Sequence, residues 1–296
     1  MTTDSLEQFS DTLSSRVTDA ARYTVAIRIG RRDCSGILWR NDAVVTSEQL
    51  LPEEPGFTIL HNGNALQAVL AGRDPSTNVA VLRLPNSLGA GLPPFAPPPT
   101  AGSLTLIVGA DERGAPTARL GIVHATGPEW NSQAGGRIES LIRLDARLGA
   151  DEGGPVLTPA GKLLGMSTSG PRRTALVIPV ATIERVIDPL LSDGRVARGW
   201  LGVGLQQVQV PERLREAAGR DAGMMVVGLA PASPAEQAGV LPGDIILEID
   251  GRQTGRARGL STALAAERIG QPVTLKLLRA GEIRMLTVVV GKRPKA

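Results

Sequence analysis

The chain has few aromatic, histidine or cysteine side chains. Trp, Tyr and Phe together make 2% of its 296 residues, so any core has to be assembled from Val, Leu, Ile and Ala. A single cysteine, Cys34, excludes an intramolecular disulfide framework and a multi-cysteine metal site. Set before Ser35-Gly36 in a strand-turn context, it reads as a buried structural thiol. No stretch of about 18 apolar residues occurs, so no segment is read as spanning a membrane. Met1 to Ala21 is polar and acidic, without an apolar core of signal-peptide length, which gives the expectation of a cytoplasmic protein. Net charge is only +3, and the one basic run, Lys292-Arg293-Pro294-Lys295, reads as a solvated tail. Without a basic patch interleaved with aromatics, nucleic acid is not expected as a partner.

The composition that remains favours strands. Gly 35 and Pro 22 are dispersed along a chain long enough for two domains, which fits many short strands and turns better than a helical bundle. Residues 4–21 form the one early helical pattern, with Leu6, Phe9, Leu13 and Val17 at helical spacing and Asp4 or Ser5 as cap. Strand runs follow at Thr24–Ile29, Gly36–Trp39, Ala43–Thr46, Phe57–Leu60, Ala65–Ala71 and Val79–Leu84. The Pro-rich stretch Leu92–Pro99 reads as an extended connection between two halves. The second half resumes at Leu104–Val108, Thr117–Ala125, Ile138–Leu144, Gly161–Ser167 and Ala175–Pro179, and Thr182–Leu191 closes it as a helix. Strands of this regularity without interleaved helices predict antiparallel barrels.

Two stretches carry chemistry. The first is Gly149-Ala150-Asp151-Glu152-Gly153-Gly154-Pro155-Val156-Leu157, where paired glycines before a proline allow close backbone approach and can point amides at one spot. It resembles the nucleophile loop of trypsin-like serine proteases of the HtrA/Deg type, which reads Gly-Asn-Ser-Gly-Gly-Pro. The second is Ser233-Pro234-Ala235-Glu236-Gln237-Ala238-Gly239 with Leu241-Pro242-Gly243-Asp244-Ile245-Ile246-Leu247 and Asp250-Gly251, a string that resembles the PDZ domain of the same family. The resemblance covers about residues 22–292. It implies an all-β dominated fold, a trypsin-like double β-barrel followed by a PDZ domain, with a helical segment at 1–21, the protease-like domain at 22–192 and linker plus PDZ at 193–296.

The resemblance also implies where catalysis would reside. Serine-protease chemistry needs a nucleophile, an imidazole to take its proton and a carboxylate to orient the imidazole. Val45-Thr46-Ser47-Glu48-Gln49-Leu50 places Gln49 at the histidine position. Asp74-Pro75-Ser76-Thr77-Asn78-Val79-Ala80-Val81-Leu82 places Asn78 at the aspartate, and Glu152 stands at the serine. An amide is no general base near neutral pH, neutral Asn78 stabilises no imidazolium, and a carboxylate is no alkoxide donor. Ala150 also replaces a family glycine, so residues 150–152 (Ala150, Asp151, Glu152) read as a vestigial oxyanion loop. The Glu152 carboxylate is expected to fold into that pocket and accept backbone amides. His61 and His124 fall outside the family's catalytic positions, and Ser47 and Thr77 lie nearby without a base. Asp151, Glu152 and Glu48 read as solvated carboxylates rather than metal ligands, and no cofactor or metal is expected.

In the PDZ-like part the resemblance makes Trp200-Leu201-Gly202-Val203 the loop that takes a terminal carboxylate, and Leu260 with Leu264 the pocket walls, with core packing as the alternative for both leucines. A PDZ domain adds an extended chain end to an open sheet edge. The expected function is therefore a catalytically degenerate HtrA-like protein that binds protein C-termini or exposed peptides as scaffold, regulator or holdase, with a remnant cleft open to strand pairing. A peptidase with rewired or partner-supplied chemistry is one alternative. A structural subunit assembling with active homologues, as a trimer or other homo-oligomer, is another.

Overall fold

The Val- and Ile-rich runs separated by Asn-, Asp- and Gly-bearing turns close into two six-stranded antiparallel barrels. The computed structural model describes residues 3–294 except 31, 55, 90, 172–173, 254–263 and 265. It falls into two units, Met1–Val196 and Ala197–Ala296. In the first, helix α1 (Thr3–Ala20) precedes β1 (Thr24–Ile29), β2 (Arg32–Arg40), β3 (Ala43–Ser47), β4 (Gly56–His61), β5 (Asn64–Asp74) and β6 (Val79–Arg83). These strands pair in the order β1-β2-β3-β6-β5-β4, and β4 returns to β1. The second barrel is built from β7 (Leu104–Ala110), β8 (Pro116–Gly127), a small ribbon of β9 (Trp130–Asn131) and β10 (Arg137–Ile138), then β11 (Leu141–Leu144), β12 (Pro155–Leu157), β13 (Leu163–Ser169) and β14 (Ala175–Pro179). Its order is β11-β14-β13-β12-β7-β8. Closure leaves no open sheet edge in either barrel.

Burial along the strands shows which ones sit between layers. All five residues of β3 and of β14 are buried, whereas β8 exposes Leu120, Ile122 and His124 on its outer face while burying Gly121 and Val123. Continuous burial means cover on both faces, and β3 is covered by the other barrel and carries Ser47 to the seam. The core there is aliphatic, as the scarcity of aromatics requires, and runs through Ile27, Ile37, Val45, Val81, Leu157, Met166 and Ile183. The Pro-rich connection lies along β13, where Leu163 N donates to Pro94 O and Ala96 N to Leu163 O at 2.9 and 2.8 Å. Phe95, half exposed there, stacks on Trp39 with centroids 6.1 Å apart.

Helix α2 (Val180–Asp193) seals the first barrel with Ile183, Val186, Ile187 and Leu190, all fully buried, and ends on left-handed Gly194. It is longer than the sequence pattern indicated. Three other expectations need correction. The stretch Ile138–Leu144 is split between β10 and β11, because Glu139 between them turns to Arg185 and Thr182. Strand β12 was missed because three residues are too short to show a period. Helix α1 starts at Thr3, ahead of the expected cap, and only its second half packs: Val17 reaches the core while Leu6 is 57% exposed.

The second unit is one sheet in the order β16 (Val203–Gln209), β17 (Ala222–Leu229), β18 (Ile245–Ile249), β20 (Pro272–Arg279), β21 (Glu282–Val289). Strand β19 (Arg252–Gln253) adds to β18, and β15 (Gly199–Trp200) pairs with β22 (Gly291–Lys292). Helices α3 (Glu212–Ala218), unmarked by the sequence pattern, and α4 (Pro234–Gln237) complete it, with Ser233 capping α4. The Pro-Gly-Asp string has a physical role here. Asp244 is 1% exposed, takes two hydrogen bonds from Arg279 at 2.8 Å each, and accepts from Leu241 N. The expected helix through Leu260–Leu264 lies outside the described residues except for Leu264.

Because Ile187 fills the space between α2 and the first barrel, Ile187→Ala is expected to lower unfolding free energy by about 2–5 kcal/mol. Denaturant titration of the purified chain measures it, and a loss below about 1 kcal/mol would show that α2 adds little to the barrel core.

Candidate functional site

Residues 149–154 are pinned onto the first barrel by Ser35 of β2. Ser35 N donates to Glu152 O at 2.8 Å, Ser35 Oγ donates to Ala150 O at 2.7 Å, and Ala110 N of β7 donates back to Ser35 Oγ. The glycine pair is required by contact. At Gly153, φ is +90° and a Cβ would lie 2.2 Å from Ser35 O, while a Cβ on Gly154 would lie 2.1 Å from Val108 O. The close approach expected from the sequence is therefore present. The convergence of amides is not. Glu152 N donates to Gly149 O, Gly153 N to Ser167 O and Gly154 N to Asp151 O, three separate directions.

The two adjacent acids are buried rather than solvated, and they part company. Asp151, 5% exposed, is held by Arg119 of β8 through Nε at 3.1 Å and Nη2 at 3.2 Å, and accepts from Gly149 N at 2.8 Å. Glu152, 7% exposed, points to the seam between the barrels. Its Oε1 accepts from Gln49 Nε2 at 2.7 Å and Ser169 N at 2.9 Å, and its Oε2 from Ser169 Oγ at 2.6 Å. Ser47 and Thr168 hydroxyls stand 3.4 Å from Oε1. The one amide it reaches belongs to the end of β13, because a glutamate chain extends past its own turn. Glu48, which the sequence placed beside this site, instead faces Arg73 at 3.6 Å; its carboxyl is held above the usual range because burial outweighs that cation.

Gln49 and Asn78 join the same cluster. The Gln49 amide nitrogen also donates to Ser169 O at 3.0 Å, and two pure acceptors fix which end of the amide faces them. Asn78 sits at φ +58°, a backbone position asparagine tolerates. Its Nδ2 donates to Thr168 Oγ1 at 2.6 Å and Ser47 Oγ at 3.1 Å, and its Oδ1 accepts from Gln49 N at 2.8 Å. Preceding it, Asp74 is buried and accepts from Ser76 N, Ser76 Oγ and Thr77 Oγ1, which shapes the turn. So the three positions singled out from sequence meet, together with Ser47, Thr168 and Ser169. The last two were missed, since nothing in the run Ser167-Thr168-Ser169 distinguishes a site from a polar strand end.

The cluster floors a cleft of about 1010 Å³ lined by Ile29, Arg32, Leu50, Arg147, Leu148 and Ala150 among others. Neither histidine belongs to it: His61 Nε2 contacts Arg22 O at 3.0 Å, and His124 is exposed on β8. Among the described residues no group of three or more His, Cys, Asp or Glu is placed to hold a metal. Cys34 also borders the cleft, and burial pushes its thiol up to about 12, with Thr46 opposing and Glu152 adding to the shift. In the second unit, Leu201 is 1% exposed and belongs to the core, and Gly202 turns the chain at φ +78° where a Cβ would strike Ser233. Trp200 is half-buried in β15, Val203 opens β16, and Leu264 is partly buried with its carbonyl accepting from Gly199 N. Leu260 lies outside the described residues. Strand β16 is one edge of the sheet, β21 the other, and the Leu201 and Gly202 amides donate to no acceptor among the described residues.

Residues 34–166 match the model of the trypsin-like peptidase domain, and residues 199–290 match that of the PDZ domain. The chain carries a trypsin-like peptidase domain followed by a PDZ domain, and along most of its length it is similar to HtrA-type proteases. It is 29% identical over 277 residues to a probable periplasmic serine endoprotease DegP-like of Rhizobium meliloti, covering 89% of this chain and 54% of that one. It is 28% identical to the serine endoprotease DegS of Haemophilus influenzae, covering 88% and 77%. A solved structure of the HtrA-type protease AlgW with decapeptide superposes with TM-score 0.70 at 25% identity, covering 96% of this chain and 99% of that one. The chain spans about half the length of the DegP-like relatives it matches. Those relatives carry periplasmic names, which overturns the cytoplasmic expectation. The residues it rested on form α1, a helix packed on the second barrel, and a polar helix is silent about compartment.

Removing the shared acceptor leaves Ser169 N without its partner and takes from Gln49 Nε2 its shortest hydrogen bond, so Glu152→Ala is expected to cost about 1–3 kcal/mol of stability by denaturant unfolding. A variant as stable as the parent would show that the carboxylate holds nothing. With its thiol near 12, Cys34 is about one part in ten thousand thiolate at pH 8. Alkylation by iodoacetamide is expected to be slow in the native chain and fast in denaturant; equal rates would show an open, reactive thiol.

Proposed function

We propose that this HtrA-like chain binds polypeptides without cleaving them, in a periplasmic setting like that named for its relatives. The observation that carries the reading is Glu152, seated at the expected serine position and hydrogen-bonded to Gln49 at the expected histidine position. A cleavage step there needs a hydroxyl at the head of the loop and a base to receive its proton. The loop offers a carboxylate, and Gln49 and Asn78 offer amides. The amide of Glu152, which would serve a developing oxyanion, is engaged by Gly149 O at 3.1 Å. Each of the three groups is a hydrogen-bonding member of one neutral-donor cluster, which supports a structural role for all of them.

Peptide capture falls to the second unit. Gly202 supplies a left-handed turn, the Leu201 and Gly202 amides are free to take a carboxylate, and β16 offers an edge for strand addition. The relatives include solved AlgW complexes with a decapeptide and with a tripeptide, which supports the same use of this module. A scaffold or holdase that presents C-termini fits these features.

A second reading rests on one contact. Ser169 Oγ lies 2.6 Å from Glu152 Oε2 at the floor of the cleft, a hydroxyl paired with a carboxylate. Such a pair is the minimum of a nucleophile and base, although an ordinary carboxylate is a weak base at neutral pH.

Incubation with unfolded casein separates the readings, with Glu152→Ala and Ser169→Ala alongside. No cleavage by any form is expected, while a C-terminally free hydrophobic peptide binds, loses affinity on amidation, and loses it with Gly202→Val. Cleavage that disappears in both Glu152→Ala and Ser169→Ala would overturn the non-catalytic reading in favour of carboxylate chemistry.

A further inference from the structure

We propose that the barrel cleft is itself a binding site for extended acidic peptide segments, selected by Arg32 and Arg147; this rests on reading the cleft as non-catalytic. Among the described residues, four charged side chains line it: Arg32, Asp33, Arg147 and Glu152. Asp33 faces Arg28 at 3.7 Å. Glu152 is 7% exposed and takes close hydrogen bonds from Gln49 and Ser169. The two anions are thus engaged by the protein.

The two cations are not. Arg32, the first residue of β2, and Arg147, in the segment between β11 and β12, are both exposed, and neither side chain has a hydrogen-bond or ion-pair partner among the described residues. They come from different barrels and border one cleft. The same cleft is lined by Ile29, Leu50 and Leu148, apolar side chains suited to aliphatic residues of a ligand, and by Ala150, whose amide has no acceptor among the described residues. Guanidinium groups match carboxylates in a planar, two-bonded geometry, and an unpaired pair in a cleft that also presents apolar side chains favours a ligand carrying both acidic and aliphatic residues.

The mode of binding also follows. Ser169 O is taken by Gln49 Nε2 and Gly170 N donates to Thr174 O at 2.7 Å, so the backbone at the end of β13 is already partnered. The strand pairing expected for this cleft is therefore not what reads the ligand. Side chains do, and a cleft of about 1010 Å³ has room for several residues of an extended chain.

The test uses the full chain and N-acetylated, C-terminally amidated ten-residue peptides, so that no terminal carboxylate reaches the Gly202 turn. One peptide alternates Val or Leu with Asp, and its twin carries Lys in place of Asp. Anisotropy of the labelled acidic peptide is expected to show saturable binding that weakens with added salt and falls about tenfold or more in Arg32→Glu and Arg147→Glu, roughly the value of one charged contact. The double reversal is expected to prefer the lysine peptide. Both arginines are exposed and unpaired, so unchanged thermal midpoints establish that the variants fold; the milder Arg147→Gln is read in the same way. Equal affinity of the parent for both peptides, or reversal variants that bind like the parent, would overturn the proposal. Binding of the acidic peptide that survives Gly202→Val separates this site from the PDZ-like one. Mass-spectrometric cleavage of the bound peptide would remove the non-catalytic reading and leave the charge preference standing.

Discussion

The seam between the two barrels depends on one buried carboxylate. Glu152 enters from the second barrel's loop, Gln49 meets it from the turn after β3, and Ser169 closes on it from β13. A carboxylate this deeply buried is costly unless its lone pairs are used, and here neutral donors use them. Around it Asn78, Ser47 and Thr168 exchange hydrogen bonds, so the polar groups that line the seam satisfy one another. Substitution at any one of the three expected catalytic positions therefore acts on the other two.

The loop that carries Glu152 is held by contacts that have no connection with catalysis. Ser35 takes its backbone at two points, Arg119 holds Asp151, and Gly153 and Gly154 press against carbonyls of β2 and β7. The shape of the loop is fixed by the tight packing beneath it, and its amides find separate acceptors inside the protein.

Some of this was legible in the sequence. Paired glycines before proline announced close backbone approach, and Gly153 and Gly154 meet their neighbours at distances no side chain allows. The Pro-Gly-Asp string marked the place where Asp244 and Arg279 tie the second unit together. Other features had no local signature. Strand β12 is three residues long, Thr168 and Ser169 look like any polar strand end, and Leu6 has the spacing of a packed residue yet is exposed. The compartment was misjudged for the same reason, since the polarity of residues 1–21 describes a helix surface and nothing about export.

Residue types and their spacing thus determined the two all-β modules, the aliphatic nature of their cores and the chemistry of the side chains at positions 49, 78 and 152. Those properties are local, because hydrophobic periodicity and side-chain chemistry travel with the residue. Tertiary structure alone decided that Asp151 and Glu152 point apart, that Glu152 is shared by Gln49 and Ser169, and that Arg32 and Arg147 face one cleft unpaired. Each of these depends on residues brought together from distant parts of the chain, and a hydrogen bond across a seam leaves no periodic trace in the strands that meet there.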